Sequence, residues 1–257
     1  MNAICALAQV PVRSDPSDKS EMVTQILFGE TFTVNEEMEN WLHIRMHIDN
    51  YEGWIDRKQA MLVTDEFIEK IKNGSNHSIT DKTAELYCKN DSTFLLVGKG
   101  SHLPLAVGNT FHLGHKTYTS ISKSKSIPKK FSASKVATTA LDYLNTPYLW
   151  GGRSIMGIDC SGLVQMVYHM CGLKLPRDAA QQVNFGIALD FVDEALPGDL
   201  AFFDNPAGEI IHVGIIIDKG KIIHASGRVK IDNIDHNGIF SLEQNTYSHS
   251  LRIIKRL

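Results

Sequence analysis

Cys160 is the residue of this chain best placed to act as a nucleophile. It opens a stretch, residues 160–171, in which apolar residues recur at helical spacing, and Gly172 follows as a helix stop. Asp159 directly before it is a favourable N-cap residue. Unpaired N–H groups and the positive end of the helix dipole lower the pKa of a thiol at such a position. We therefore expect Cys160 to be a reactive thiolate rather than a buried structural cysteine.

Two histidines occupy successive strands downstream of Cys160. His212 opens a strand, a turn at residues 218–220 follows, and His224 lies near the end of the returning strand, so both are expected at the same end of a tight hairpin. A cysteine nucleophile needs a base, and that base needs a third group to orient its ring. We expect His212 to face the sulfur and His224 to support His212. A zinc site made of these three residues is the alternative, but the chain has no closely spaced ligand pair, so we expect no metal and no cofactor.

The elements around these residues predict an α+β domain over residues 131–257. An apolar stripe from Val136 to Leu144 indicates a helix that Pro147 ends. Asp178 and Gln181 have the spacing of a capping box. Strands are expected at 201–203, 212–217, 221–226 and 251–254, and helices packed on such an antiparallel sheet define the class.

The chain before residue 131 reads as short strands. Strand patterns at 22–28, 31–34, 41–48 and 51–55, with Gly53-Trp54-Ile55 at the end, resemble bacterial SH3-like domains, and we predict one over residues 1–63. A short connecting helix is expected at 64–72 and a turn-rich boundary at 73–76. A second, degenerate SH3-like barrel is predicted over residues 76–125, with a Ser/Lys-rich linker at 120–130.

Composition excludes several classes of protein. The 257 residues are 43% hydrophobic with a formal net charge of −3, so the chain carries no basic footprint for nucleic acid and no pattern for a membrane surface. No apolar run reaches the roughly 18 residues of a membrane span. The first ten residues contain no Lys or Arg and read as a strand rather than a signal peptide. We therefore expect a cytoplasmic protein, exported only if its true N-terminus lies upstream, and a monomer.

Residues 131–257 resemble the NlpC-type cysteine peptidase family, which has a papain-like fold. The resemblance runs through PYLWGG (147–152), GIDCSGLV (157–164), LPRD (175–178), PGDL (197–200), HVGI (212–215) and IHA (223–225). It implies that Cys160 is the nucleophile, His212 the base and His224 the third member, and that the Tyr148 hydroxyl helps to hold the oxyanion. Family members cleave peptide bonds in bacterial cell-wall stem peptides.

The whole chain resembles one branch of that family, the γ-D-glutamyl-L-diamino acid endopeptidases, which join SH3-like domains to the catalytic domain. The resemblance implies a murein peptide substrate with a free N-terminal L-Ala, whose amine is held by Asp159, Tyr51 and an acid of the first SH3-like domain. Glu21 and Glu30 are both candidates for that acid, and helix capping is the alternative role of Asp159. Trp150, Ser161, Arg177 and Asp178 would line the cleft, although Arg177 and Asp178 equally suit a local ion pair and cap.

Two other functions remain open at this stage. A general hydrolase of intact peptidoglycan would use the SH3-like domains as wall anchors. An inactive wall-binding protein would retain the fold without the chemistry, but Tyr148, Cys160, His212 and His224 are all present, which favours an enzyme.

Overall fold

The computed structural model describes residues 1–74, 77–122, 124–128 and 130–257, and divides them into two compact units. The first unit comprises Met1–Ile127 together with Arg153–Ile155, and the second comprises Pro128–Gly152 together with Met156–Leu257. Within the described ranges, no helix is both long enough and apolar enough to cross a membrane.

The first unit begins with an antiparallel sheet of short strands. Its strands are β1 (Asn2–Ile4), β2 (Gln9–Arg13), β3 (Met22–Leu27), β4 (Thr31–Glu37), β5 (Trp41–Met46), β6 (Glu52–Asp56) and β7 (Met61–Val63). Their spatial order is β3-β2-β6-β5-β4-β1-β7. Strand β5 shows why they form: Leu42, Ile44 and Met46 alternate onto the buried face of the sheet. A 3-10 helix (Arg57–Gln59) precedes β7.

A helix and two smaller sheets complete this unit. Helix α1 (Asp65–Asn73) begins at the predicted place, because the Thr64 hydroxyl accepts the N–H of Phe67 at 3.2 Å. The later strands are β8 (His77–Ile79), β9 (Thr83–Cys88), β10 (Thr93–Gly98), β11 (His102–Leu103), β12 (Thr110–Leu113), β13 (Lys116–Ser120), β14 (Ser124–Ser126) and β15 (Arg153–Ser154). They form sheets of order β10-β9-β13-β12 and β11-β8-β14.

The two predicted SH3-like regions share a hydrophobic core. Phe28, in the turn directly after β3, packs edge-on against Phe111 and Tyr118 with ring centroids 5.8 and 5.9 Å apart. The boundaries at 1–63 and 76–125 stay predictions; residues 75 and 76, on which one boundary falls, lie outside the described residues. The predicted linker at 120–130 includes positions 123 and 129, also outside them, and contains β14, which pairs with β8.

The second unit has the predicted α+β composition. Its helices are α2 (Val136–Leu141), α3 (Cys160–Met170) and α4 (Ala179–Gln182), with 3-10 helices at Ala133–Lys135 and Val192–Glu194. Its strands are β16 (Gly157–Ile158), β17 (Ile187–Leu189), β18 (Leu200–Asp204), β19 (Ile210–Asp218), β20 (Lys221–Ser226), β21 (Arg228–Asp235), β22 (Gly238–Ser241) and β23 (Thr246–Arg256).

Strands β18 to β23 close into a six-stranded antiparallel barrel. Each strand pairs with the next in chain order, and the ring closes because β23 pairs with both β22 and β18. Helices α2 and α3 pack against β19, and α3 also contacts β20. The closure places β23 beside β18, while β21 lies beside β20 through direct pairing.

Helix α2 is shorter than the predicted helix that Pro147 ends. After Leu141 the chain tightens into turns, with Tyr143 N–H bonded to Ala140 O and Leu144 N–H bonded to Leu141 O. Asn145 then adopts a left-handed conformation at φ 68°. The helix therefore ends through local turns before the proline is reached.

Candidate active site

Cys160 is the first residue of helix α3, as predicted. Asp159 is the N-cap residue, and its Oδ1 accepts the N–H of Gly162 at 2.7 Å. Gly162 is required there because a Cβ would lie 2.3 Å from the carbonyl oxygen of Gly152. The N–H of Cys160 belongs to the first turn, whose N–H groups have no acceptor within the helix.

The thiol of Cys160 is not activated in the way we predicted. Burial, and secondarily the charge of Asp159, raise the pKa of Cys160 to about 11. Hydrogen bonds from the backbone of Val213 and Ser161 oppose that rise without reversing it. The prediction of a lowered thiol pKa is therefore wrong, because desolvation outweighs the helix N-terminus. The resting sulfur is a thiol and needs a base to accept its proton.

The two histidines lie together, as the hairpin predicted. Nε2 of His212 is 2.9 Å from Nδ1 of His224, and both rings are buried. Gly214 leaves room for this arrangement, since a Cβ there would lie 3.0 Å from Cβ of His224. The sulfur of Cys160 bonds to the backbone of Val213, the residue next to His212, so nucleophile and histidines occupy one site.

Asp232 on β21 extends this pair into a longer chain of groups. Its Oδ2 lies 3.1 Å from Nε2 of His224, and its Oδ1 accepts the N–H of Leu242 at 2.9 Å. Despite burial, the bonds from His224, Leu242 and Lys230 hold the pKa of Asp232 far below its ordinary value. Sequence reasoning missed Asp232; its place two residues after Lys230 in an alternating strand is the signal that was available.

The ionised carboxylate assigns the tautomers of the chain. A carboxylate only accepts, so Nε2 of His224 carries the proton that it donates to Asp232. Nδ1 of a neutral His224 is then a lone pair, which accepts the proton on Nε2 of His212. The remaining nitrogen of His212, Nδ1, is left unprotonated. His212 is therefore assigned as a neutral base with a usable lone pair.

His249 on β23 is a third histidine that the sequence reasoning missed. Its ring stacks on His212 with centroids 4.1 Å apart and planes inclined by 23°. Burial, and then the charges of His249 and His224, lower the pKa of His212 well below its ordinary value. Burial likewise lowers the pKa of His249 to about 4. Both rings are therefore neutral near pH 7.

The three histidines do not form a good metal site, although their nitrogens lie within 4.8 Å of one another. The lone pairs of an imidazole lie in the plane of its ring, so those of the stacked rings of His212 and His249 run side by side and do not converge. The short contact between His212 and His224 is already a hydrogen bond. Their chemistry fits a proton relay better than the zinc site considered from the sequence.

Asp159 and Arg177 form a buried ion pair behind the nucleophile. Nη1 and Nη2 of Arg177 lie 3.0 and 2.5 Å from Oδ1 and Oδ2 of Asp159, and both side chains are buried. Asp159 also accepts the N–H of Gly151, and Ser161 bonds to both partners of the pair. Asp159 thus fulfils the capping role, while its role in holding a substrate amine stays a prediction.

Tyr148 lies beside the nucleophile. Its backbone N–H donates to Gly227 O at 3.0 Å, and the residue bridges Ile158 just ahead of α3. Burial, followed by the charges of Cys160 and Asp159, raises the pKa of Tyr148 to about 12. The hydroxyl is therefore protonated at neutral pH and can donate to a developing oxyanion.

Other predicted residues of this unit have mixed surroundings. Trp150 is 59% exposed. Asp178 is the N-cap residue of α4, but no side-chain capping bond forms there, so the predicted capping box is wrong. The neighbouring Gln182, which the sequence reasoning passed over, donates from Nε2 to the carbonyl oxygens of Ser161 and Pro176 at 3.0 and 2.9 Å. Gln182 therefore braces the first turn of the helix that carries Cys160.

The predicted residues of the first unit differ strongly in burial. Tyr51 is half-buried against the hydrophobic core of the first sheet, which includes Phe32 and Ile44, and Glu21 is exposed. Glu30 is buried and forms a bidentate pair with Arg153, with Oε2 to Nη1 at 2.9 Å and Oε1 to Nη2 at 3.0 Å. The amine-binding acid stays a prediction, with Glu21 and Glu30 both candidates.

Known proteins match both units of the chain. The NlpC/P60 family matches residues 145–246, and the bacterial dipeptidyl-peptidase Sh3 domain matches residues 12–59. Dipeptidyl-peptidase 6 of Lysinibacillus sphaericus is 30% identical over 258 residues, covering 91% of this chain and 92% of the relative. The γ-D-glutamyl-L-lysine dipeptidyl-peptidase of Bacillus subtilis (strain 168) is 29% identical over 248 residues, covering 91% of this chain and 80% of the relative.

Solved structures show the same fold. An NlpC/P60 family protein from Bacillus cereus ATCC 10987 has a TM-score of 0.83 at 24% identity, covering 100% of this chain and 99% of that one. An NlpC/P60 endopeptidase from Photobacterium damselae subsp. piscicida has a TM-score of 0.75 at 18% identity, covering 98% of this chain and 70% of that one.

Proposed function

Because the chain belongs to the NlpC/P60 family of cysteine peptidases, we propose that it hydrolyses the γ-D-glutamyl–diamino acid bond of murein stem peptides with a free N-terminal L-Ala. The observation that carries this proposal is the match of nearly the whole chain to relatives named as dipeptidyl-peptidases of this kind. The matches run through both the SH3-like region and the catalytic region.

The first half of the reaction uses the neutral thiol and the neutral imidazole. Nδ1 of His212 accepts the proton of Cys160 as the sulfur attacks the scissile carbonyl carbon. Charge develops on the carbonyl oxygen, where the hydroxyl of Tyr148 and the N–H of Cys160 are suited to donate. The imidazolium then protonates the amine of the diamino acid, which leaves, and an L-Ala-γ-D-Glu thioester remains on the sulfur.

The second half returns the enzyme to its starting state. His212 takes a proton from water, which attacks the thioester carbon, and the same oxyanion donors act again. The sulfur leaves as its proton is restored, and the dipeptide L-Ala-γ-D-Glu is released. His224 and Asp232 keep Nδ1 of His212 available in both halves, since they hold the proton on its other nitrogen.

Charge matching would select a substrate with a free amine. A buried ammonium without a carboxylate partner is costly, so a site that takes up the amine of L-Ala needs an acid. By the resemblance, this task falls to Asp159, the hydroxyl of Tyr51 and one acid of the first SH3-like domain, either Glu21 or Glu30. The cytoplasmic location expected for the enzyme is part of the same proposal, and cell fractionation with an antibody tests it.

Three substrates test the proposal. We expect rapid cleavage of a free L-Ala-γ-D-Glu-diamino acid peptide and little release of peptides from intact sacculi. Acetylation of the L-Ala amine should lower kcat/KM roughly tenfold to a hundredfold, the range of one charged hydrogen bond. Equal rates on the free and acetylated peptides, with digestion of sacculi, would instead identify a general wall hydrolase.

A further inference from the structure

Asp232 ends a buried chain of polar groups that starts at the base. His212, His224 and Asp232 are linked through contacts of 2.9 and 3.1 Å, and the exposed fraction of each is 5% or less. Behind Asp232, Nζ of Lys230 lies 3.2 Å from the same Oδ2 that faces His224. Lys230 is also buried and bonds onward to Glu243 at 3.2 Å.

We propose that Asp232 is a positioning residue of the hydrolytic site, which holds His224 in the tautomer that makes His212 the base, and that Lys230 moderates its charge. The proposal rests on the hydrolysis proposed above. Asp232 touches neither sulfur nor substrate, so it acts only through His224. Besides His224 it has two partners: the N–H of Leu242, which requires an acceptor but no charge, and the ammonium of Lys230.

The charges around His224 determine how strongly its ring is held. Three titratable groups contact this ring directly: His212 on β19, Asp232 on β21 and His249 on β23. Lys230 and, through it, Glu243 act on the ring by way of Asp232, and Cys160 lies on helix α3, which packs against β20. Asp232 is the one carboxylate in this group that directly contacts the ring, and Lys230 is the one cation that contacts Asp232 among the described residues.

The substitution Asp232→Asn removes the negative charge of the side chain but nearly keeps its size and shape. If the oxygen of the new amide accepts the N–H of Leu242, the NH₂ of that amide faces both His224 and the ammonium of Lys230. His224 must then offer a lone pair from Nε2, which moves its proton to Nδ1 and drives the proton of His212 onto Nδ1. If the amide is reversed, its NH₂ meets the N–H of Leu242. Either orientation therefore loses one of the bonds that Asp232 makes.

The first test compares Asp232→Asn with Asp235→Asn. Asp235 lies at the end of the same strand, is partly exposed, and bonds to the hydroxyl of Tyr247 at 2.5 Å. We expect Asp232→Asn to lower kcat roughly tenfold to a hundredfold with KM changed less than about twofold, and Asp235→Asn to leave both near the wild-type values. Equal kinetics of Asp232→Asn and the wild type would overturn the proposal.

The acid limb of the pH profile of kcat/KM should move in opposite directions in two variants, which a purely structural role of Asp232 would not cause. Loss of the anion in Asp232→Asn disfavours the protonated relay, so the limb should move to lower pH. Lys230→Met removes the opposing cation and should move the limb to higher pH, while Asp232 keeps its bonds to His224 and Leu242. Shifts in the same direction, or no shifts, would refute the role of Asp232 in the relay.

The tautomers themselves are observable without any substrate. In the wild type, imidazole ¹⁵N shifts should show His224 protonated at Nε2 and unprotonated at Nδ1, and Asp232→Asn should reverse this or mix the two forms. Alkylation of Cys160 by iodoacetamide near pH 7 should slow in parallel. These two readouts remain valid even if murein peptides are not cleaved, so they distinguish failure of this inference from failure of the proposed function. Asp232→Leu offers Nε2 of His224 no acceptor in any orientation, so unchanged ¹⁵N shifts in a folded Asp232→Leu variant would disprove the inference.

Discussion

His249 stacks on His212 with ring centroids 4.1 Å apart, while Nδ1 of His249 lies 2.9 Å from the hydroxyl of Ser248. The base therefore has a neighbour on its face as well as His224 at its edge. His249 contributes in two ways, because the stack restrains the ring and the polar neighbour helps to lower the pKa of His212.

Substitutions of His249 should separate these two contributions. His249→Phe keeps a stacked ring but removes the titratable group, so the pKa of His212 should rise and the acid limb of kcat/KM should move to higher pH. His249→Ala also removes the stack and should lower kcat about twofold to tenfold, the range of an aromatic pair. Full pH profiles of both variants check this. If His249→Phe and His249→Ala reach the same maximal kcat on the plateau of their pH profiles, the stacked ring does not restrain His212.

The buried histidines should make the fold sensitive to acid. An unfolded histidine binds a proton below about pH 6.5, whereas burial lowers the pKa of His249 to about 4 and that of His212 well below its ordinary value. The unfolded state then binds more protons as the pH falls through this window, so stability is present above it and is lost towards pH 4. Thermal melts between pH 7.5 and 5 should show Tm falling by several degrees. The slope should be smaller in His249→Phe, and a Tm independent of pH would contradict the assignment of neutral histidines.

Cys160 and Cys171 provide a matched pair of thiols on one helix. Cys160→Ala should lower the rate of hydrolysis by several orders of magnitude without unfolding the chain, because the change removes only one buried sulfur atom. Cys171 is buried at the end of the same helix and lies 3.6 Å from the Thr139 hydroxyl, so Cys171→Ser should retain turnover. Mass spectrometry after iodoacetamide should find modification at residue 160 in the wild type and in Cys171→Ser. Retained activity in Cys160→Ala would refute the cysteine-peptidase mechanism.

Asp159→Asn tests whether the helix cap also binds the substrate amine. Asparagine is a good N-cap residue, so the start of α3 should survive, but Arg177 loses its buried carboxylate partner, which typically costs about 3–5 kcal/mol of stability. A denaturant melt therefore first establishes that the variant is folded. If Asp159 also holds the ammonium, KM for the free peptide should rise roughly tenfold while the already poor acetylated peptide is little affected. A proportional loss on both peptides would assign Asp159 to the helix and to Arg177 alone.

Loss of the negative charge should strongly lower the stability of the protein at Glu30 but hardly change it at Glu21. Glu30→Gln leaves Arg153 buried without its carboxylate partner, which typically costs about 3–5 kcal/mol of stability. Glu21→Gln removes an exposed charge and should change stability by less than about 0.5 kcal/mol. If Glu21 is the amine-binding acid, its variant should raise KM for the free peptide alone. Denaturant melts and paired kinetics of both variants check this, and a destabilised Glu21→Gln would contradict the assignment.

Local patterns alone were sufficient to predict where Cys160, His212 and His224 lie in the fold; their catalytic roles stay predictions. Cys160 follows a capping residue and opens an apolar 3.6-residue repeat, so its place at a helix start depends only on neighbours in the chain. His212 and His224 flank a tight turn, and the period of a strand then brings them to one end of a hairpin. The bonds that define these elements span few residues, which is why the sequence carries them directly.

Tertiary structure alone decided what surrounds those three residues. His249 reaches the site because β23 pairs with both β18 and β22 and closes the barrel, an arrangement that no local pattern encodes. Asp232 reaches it because β21 pairs with β20, which places Asp232 opposite Ile222 and beside His224. The pKa of the Cys160 thiol rises because neighbouring elements exclude water from it, which reverses the expectation drawn from the helix end alone. The pairing of Glu30 with Arg153 likewise joins residues far apart in the chain. Burial and long-range pairing depend on the packing of the whole unit, so they follow from the fold and not from any single stretch of sequence.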